Sequence, residues 1–431
     1  MPAGYLEWGV FLYIGLIPIG WSPFPAQMQW ADLAFVGLGL AILAARQPRR
    51  LSFHALDVFV AAYLAGSLLS FRRTPDLMQS ALAFAKQAYL VLVYGACSLL
   101  ARERGLAAKM LRWTAGVAAV LAAAGLLALG TFAAGIPWLA PLLTVGVLPE
   151  AGKTVRITGP LMSPGFFCNY LTVAFPILLA LILPPHRQTL GKWLRVVLAA
   201  AAAAGTATYS IVGFIGAGLA AVWASWQSTT GGRRLRLAAG SLFLLLLLAA
   251  NVVFAVSFRD VQWIADRDAQ PPPPQSGYAF QDAAGARRLR VSLSYNPISY
   301  LLLKRVAMQA FLREPLTGVG LGMFHRETER AYAQGAIHQP YRHADPHCEL
   351  LGRLAETGVV GGLTLLILWW GVAHQGCGLL RGAPASAWMS RAILAGFVGV
   401  LVNSLNADVM NFRFVWVGLG VLRAQRARGP S

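Results

Sequence analysis

The sequence predicts an all-α polytopic membrane protein, and three observations carry that prediction. Of its 431 residues, 57% are hydrophobic and only 12% are charged, whereas a soluble domain holds about a quarter charged residues. Runs such as Trp113 to Phe132, Leu237 to Val256 and Thr357 to Ala373 match the roughly 20 apolar residues that a helix needs to cross a bilayer. No period-two alternation argues for a barrel. A mean hydropathy of +0.58 agrees.

In chain order the apolar runs lie near 5–22, 28–45, 55–71, 78–99, 109–130, 164–184, 193–209, 210–227, 237–256, 357–373, 387–405 and 412–424. Together they make about twelve transmembrane helices in a single integral membrane domain, 1–431. Basic residues fix the expected orientation. Arg46, Arg49 and Arg50, then Arg102, Arg104 and Lys109, then Arg187 and Lys192 follow alternate runs. Arg233, Arg234 and Arg236, then Arg381, then Arg423, Arg426 and Arg428 continue the series. The positive-inside rule makes that side, and both termini, cytoplasmic. Arg72-Arg73 is the main exception. The tight hairpin near Thr206 to Ser210 decides the parity of everything downstream.

The net charge of +19 would suggest nucleic acid in a soluble protein. Here it flanks the apolar runs, so no nucleic-acid partner is expected. The four cysteines, Cys97, Cys168, Cys348 and Cys377, form no CxxC, so neither a zinc site nor a disulfide framework is indicated. The N-terminus lacks a basic leader and an A-x-A site, so its first run reads as a retained span.

Two outside loops stand out. One runs from Gly130 to about Ser163 and carries Lys153 and Arg156. The other, Ser257 to Pro346, opens on Gln270-Pro271-Pro272-Pro273-Pro274-Gln275 and turns helical in pattern from about Pro297 to Leu312. Loops beyond about 15 residues are usually functional or disordered. The second loop holds eleven Lys or Arg, including Arg287-Arg288-Leu289-Arg290 and Lys304-Arg305. Single loop arginines are usually solvated charge.

His347 ends that loop. From it, Leu350, Leu351, Leu354 and Ala355 fall on one face at helical spacing, and Glu349 and Arg353 form an i,i+4 pair on another. This segment is expected to lie along the outer surface, with His347 in its first turn facing the loop. A neutral imidazole there suits a general base taking a proton from a hydroxyl. The helix N-terminus favours that neutral form. Lys86, inside the fourth run, is expected to snorkel outward. Gly318-x-Gly320-x-Gly322 follows no strand, so it reads as a close backbone turn and not a dinucleotide fingerprint.

Three elements resemble the O-antigen ligase and polymerase superfamily. Pro346-His347-Cys348, with Leu351, Leu354-Ala355-Glu356-Thr357-Gly358 and Gly361, is similar to that family's Pro-His-Asn and Leu-x-x-Leu-Ala-Glu-Thr-Gly-x-x-Gly. Cys348 replaces the usual Asn. Pro315-Leu316-Thr317-Gly318-Val319-Gly320, closing on Phe324, is similar to its Pro-Leu-x-Gly-x-Gly-x-x-x-Phe. Arg156-Ile157-Thr158-Gly159-Pro160-Leu161-Met162-Ser163-Pro164 is similar to its Arg-x-x-Gly with a Pro soon after. Tyr209-Ser210-Ile211-Val212-Gly213 stands where relatives often have Ser-Arg-Gly, and the Arg is missing.

The resemblance implies an inner-membrane glycosyltransferase with a periplasmic site. Its donor would be an O-antigen glycan linked to undecaprenyl diphosphate, and its acceptor the lipid A–core oligosaccharide. It implies His347 as base and Arg156 on the diphosphate, where a guanidinium fork suits phosphate oxygens. A second loop arginine is implied, with Arg288, Arg290 and Arg305 as candidates. Inversion without a metal or other cofactor is the implied course. The rivals are an O-antigen polymerase, an O-linked protein glycosyltransferase and, from another class, a transporter or flippase, whose polar sites lie near mid-membrane.

Overall fold

A computed structural model describes residues 4–21, 28–45, 53–103, 105–148, 152–161, 163–182, 191–208, 210, 218, 280–283, 286–289, 297–334, 336, 345–380 and 384–426. The helices are α1 (Gly4–Leu16), α2 (Trp30–Ala44), α3 (Ala55–Leu69), α4 (Leu77–Leu100), α5 (Leu106–Ala133), α6 (Pro164–Ile182) and α7 (Gly191–Thr206). They continue as α8 (Pro297–Arg313), α9 (Phe324–Ala333), α10 (Glu349–Leu380), α11 (Pro384–Asn403) and α12 (Arg413–Arg426).

The chain is thus an all-α protein with several long apolar helices able to cross a membrane. Among the described residues five qualify by length and composition: 55–72, 77–100, 106–133, 164–181 and 349–380. Shorter apolar helices cover 30–44, 195–205 and 388–403. The expected runs at 210–227 (apart from Ser210 and Gly218) and 237–256, and the proline-rich segment, lie outside the described residues.

Short antiparallel hairpins interrupt the helices: β1 (Leu143–Leu148) with β2 (Gly152–Ile157), and β3 (Phe280–Ala283) with β4 (Ala286–Leu289). Six-residue and four-residue strands are too short to show in a periodicity scan. α10 joins two helices across a break at Gly358: an amphipathic piece from Glu349 and, beyond the break, the apolar run expected from Thr357. The fold turns Glu349 and Arg353 of the first piece inward.

Loop contacts sort the helix ends. Gly20, just past α1, donates to the Pro160 carbonyl just before α6 at 2.8 Å. At the start of α6, Asn169 accepts from Asn403, the last residue of α11, at 2.5 Å. Ile157 donates to Ala207, just past α7, at 3.0 Å. Glu349 starts α10 by donating to Ser404 at 2.9 Å, and its Oε2 accepts from the Met410 N–H just before α12 at 2.9 Å. Thus α1, α7 and α11 end, and α6, α10 and α12 begin, at one end of the bundle.

Two ion pairs stake α12. Arg413, its first residue, makes a bidentate contact with Asp32 in the first turn of α2, at 2.7 and 2.8 Å. Arg423 does the same with Asp57 in the first turn of α3, at 2.9 and 2.7 Å. The Tyr94 hydroxyl donates to that carboxylate at 2.7 Å, and Arg423 reaches Ser98 at 2.9 Å. Ten residues of helix separate the arginines by about 15 Å. Ionic groups inside a bundle need such partners.

Candidate functional site

His347 stands two residues before α10, half-buried. Its φ of 49° lies in the left-handed region, which costs most residues with a Cβ about 1–2 kcal/mol. Pro346 fixes it from one side by packing on Gly352, where a Cβ would meet the ring Cγ at 2.9 Å. The Glu349–Ser404 bond fixes it from the other. Buried Cys348 precedes the first helical residue, and its carbonyl accepts from Gly352 at 2.8 Å. Cysteine is not among the side chains that cap helix starts.

Burial pushes the His347 pKa below its ordinary value, Lys304 adds to the fall, and Asp345 opposes it. The imidazole is therefore neutral at neutral pH, the form that accepts a proton.

The expectation that this segment lies along the surface is overturned. Glu349 and Arg353 are 3% and 7% exposed. Arg353 Nε sits 3.2 Å from Glu349 Oε1, and Nη1 sits 3.4 Å from Ser67 Oγ. Nη2 donates to the Tyr63 hydroxyl, and the guanidinium stacks 4.6 Å above that ring. The Gln87 amide, with its oxygen toward the guanidinium, accepts from Nη1 at 2.6 Å. Leu350, Leu351 and Leu354 are the half-exposed ones. Helical spacing found two faces but not that both are packed: Ala355 is fully buried, and Leu350 and Leu351 lie against core residues.

Nine residues after Glu349, α10 breaks. Gly358 has φ 66° and ψ −165°. The loop after α8 fills the break. Val319 and Gly320 donate to the carbonyls of Ala355 and Glu356 at 2.9 and 3.0 Å, and Val359 donates to Pro315 at 2.7 Å. Gly318 and Gly358 make this possible: a Cβ on Gly318 would strike the Glu356 carbonyl, and one on Gly358 the Leu316 carbonyl. Glu356 accepts from the Phe324 N–H at 3.2 Å and so serves the start of α9. The Leu321 carbonyl accepts from Ser80 in α4 at 2.7 Å. The Gly318-x-Gly320-x-Gly322 run is indeed a close turn, with positive φ at all three glycines.

Arg156 lies in β2 opposite Thr144. Its Nε donates to the Thr208 carbonyl just past α7 at 2.7 Å. That contact holds the planar guanidinium in one orientation. Ile157 beside it is fully buried, and Gly125 of α5 leaves room for it, since a Cβ there would meet Ile157 Cγ2 at 2.6 Å.

The loop arginines separate. Arg288 is paired in β4 with Gln281 of β3. Arg290 lies outside the described residues. Arg305 is exposed on α8, while Leu303, Val306, Ala307 and Ala310 form the helix's buried face against Ala355 and Phe324. Its neighbour Lys304 is the cation whose field reaches His347. Lys86 is exposed on the outer face of α4.

Sequence reasoning missed Asp408, in the turn between α11 and α12. Gly352 brings it close: a Cβ there would stand 3.6 Å from Asp408 Oδ1. Burial, then Glu349, Asp345 and Glu356, raise its pKa well above the carboxylate range. The available signal was an acid between two apolar runs. Among the described residues no three His, Cys, Asp or Glu side chains are grouped to hold a metal ion.

No protein-family model matches the chain, and no curated protein matches it. Fold and site together define a largely helical, multi-span protein consistent with a membrane-embedded topology, with a half-buried histidine where its loops converge.

Proposed function

We propose that this chain is an O-antigen ligase of the bacterial inner membrane. The observation that carries the reading is convergence. The strand bearing Arg156, the Pro315–Phe324 turn and the His347 helix start are 150 or more residues apart in sequence, counting from Arg156 to either of the others. All three meet structure at the same end of the bundle, and the last two interlock through backbone hydrogen bonds. This reading takes the apolar runs 210–227 and 237–256 of the sequence as two further crossings, for twelve spans. That even number fits α7 ending where α10 begins. The basic loops then put both termini in the cytoplasm and His347 on the periplasmic face.

In this reading the glycan arrives on undecaprenyl diphosphate. An acceptor hydroxyl of lipid A–core attacks the anomeric carbon as the bond to the diphosphate oxygen breaks, with inversion. His347 takes the hydroxyl proton. The diphosphate leaves as an anion, stabilised by Arg156 and one further basic residue of the long loop. This chemistry asks for no metal or other cofactor.

The test is complementation. Expressed in a strain lacking its ligase, the chain should restore the banded lipopolysaccharide ladder. His347→Ala, inserted at normal levels, should not. Lengthened undecaprenyl-linked chains with no transfer to core would make the protein a polymerase. Near-normal banding by His347→Ala would remove His347 from the mechanism.

Purified transfer assays test Arg156. Arg156→Ala should be close to inactive, since charge-assisted hydrogen bonds contribute roughly 1.5–3 kcal/mol each. Arg156→Lys should keep measurable activity, since it keeps charge but loses the fork. An unchanged rate and donor dependence in Arg156→Ala would place the diphosphate elsewhere.

A further inference from the structure

On its exposed side α8 carries an apolar line beside a polar one, Arg305, Gln309 and Arg313. Its inward face is Leu303, Val306, Ala307 and Ala310. On the outward face Met308 is 39% exposed, Leu312 67% and Leu316, just past the helix, 68%. Met308 and Leu312, four residues apart, share one line of the helix, and Leu316 follows in the turn past its end. Single exposed apolar side chains need no explanation. An aligned set on an amphipathic helix marks a contact surface.

What covers the line follows from where it ends. The Leu316 backbone sits against Gly358, at the break that begins the membrane-length part of α10. Beyond the break, Leu363, Leu366, Ile367 and Trp370 are all exposed, as lipid-facing residues of a crossing helix are. The stripe on α8 therefore runs into the apolar outer face of α10. Arg305, exposed one turn before Met308, stands where a lipid phosphate would be met. This is the pattern of a helix lying in the interface plane, with apolar residues entering the headgroup and acyl boundary and cations beside them.

We propose that α8 is an interfacial helix whose Met308–Leu312–Leu316 stripe enters the bilayer leaflet on the His347 side. Its partner is membrane phospholipid, with Arg305 at headgroup level. The helix thereby holds the interlocked turn, and through it the start of α10, at a fixed depth. The inference rests on the chain being membrane-embedded and not on the transferase chemistry.

Spin labels test it. Cys97, Cys168 and Cys348 are buried and Cys377 is exposed, so Cys377→Ser is the background. Labels go at Met308→Cys, Leu312→Cys, Leu366→Cys and, as the aqueous reference, at Gln334→Cys, an exposed position just past α9. The full chain is reconstituted in phosphatidylethanolamine–phosphatidylglycerol vesicles. Collision with oxygen, which partitions into lipid, is compared with collision with a water-soluble nickel chelate. The expected oxygen-to-nickel ratio at 308 and 312 is several-fold above that at 334 and approaches that at 366. Labels at 308 and 312 matching 334 would mean that the stripe faces water and would overturn the proposal. Labels shielded from both reagents would mean that protein covers the stripe, which overturns it equally.

Discussion

His347 combines a left-handed backbone with a partly buried ring, and the two can be separated experimentally. Asparagine tolerates that backbone region but is no base. His347→Asn should therefore keep the thermal stability of the parent and lose transfer; a large fall in stability would show that the ring is mainly a packing element. The pH profile is the finer test. Burial favours the neutral ring, so the folded chain binds fewer protons there than the unfolded chain just below pH about 6.5. The group's contribution to stability thus falls as pH drops through that window. Activity should hold down to the same region and decline below it. Lys304 lowers the His347 pKa and Asp345 raises it. Lys304→Met should accordingly move the acid limb of the rate profile up, and Asp345→Asn should move it down. Limbs that shift the same way in both variants would mean that another group titrates. The residue types were legible in the sequence: a lone histidine after a proline, an arginine before a glycine. Their surroundings were not. Asp408 lies 61 residues from His347 by numbering, and nothing local shows that Gly352 brings it near.

At the level of elements, the break in α10 explains why two separate glycine motifs stand where they do. The sequence marked Gly318 and Gly358 as turn or helix-entry residues. It could not show that the other segment's backbone fills the space that a Cβ on each glycine would need. Gly358→Ala or Gly318→Ala meets both a positive φ and a backbone collision. A left-handed residue with a side chain costs of order 1–3 kcal/mol before any clash is counted. Either variant should unfold earlier in detergent, and Gly116→Ala, with nothing near its would-be Cβ, should not. Equal stability in all three would mean that the turn adapts freely. The same element carries the buried Glu349–Arg353 pair. Removing one partner of a buried pair costs about 3–5 kcal/mol, because the other charge stays buried. Arg353→Met should thus be more damaging than its shape suggests. The spacing announced this pair; only packing against Tyr63, Ser67 and Gln87 decides that it faces inward.

Across the whole molecule, α12 is a short rod pinned near both ends. Only 14 residues long, it spans about 21 Å, less than the roughly 30 Å of a hydrocarbon core. Ion pairs at Arg413 and Arg423 fix its depth against the starts of α2 and α3. The apolar pattern disclosed the helices themselves, because burial in lipid demands long uninterrupted runs. It disclosed no partners, because pairing between residues 32 and 413, or 57 and 423, leaves no trace in a local window. The pins make a prediction about additivity. Residues in one ion pair couple by about 0.5–3 kcal/mol, whereas sites more than about 7–10 Å apart add within about 0.5 kcal/mol. Asp57→Asn and Arg423→Gln should therefore cost little more together than either alone. Asp32→Asn and Arg413→Gln should behave alike. Combining Asp32→Asn with Asp57→Asn should sum, since about 15 Å of α12 lies between their partners. The measurement is reversible unfolding in mixed micelles over both double-mutant cycles. Additive losses within a pair would mean that the charges are held by other neighbours. Strong coupling between the pairs would mean that α12 moves as one body when either pin is drawn, and that its depth, more than either contact, is what the arginines maintain.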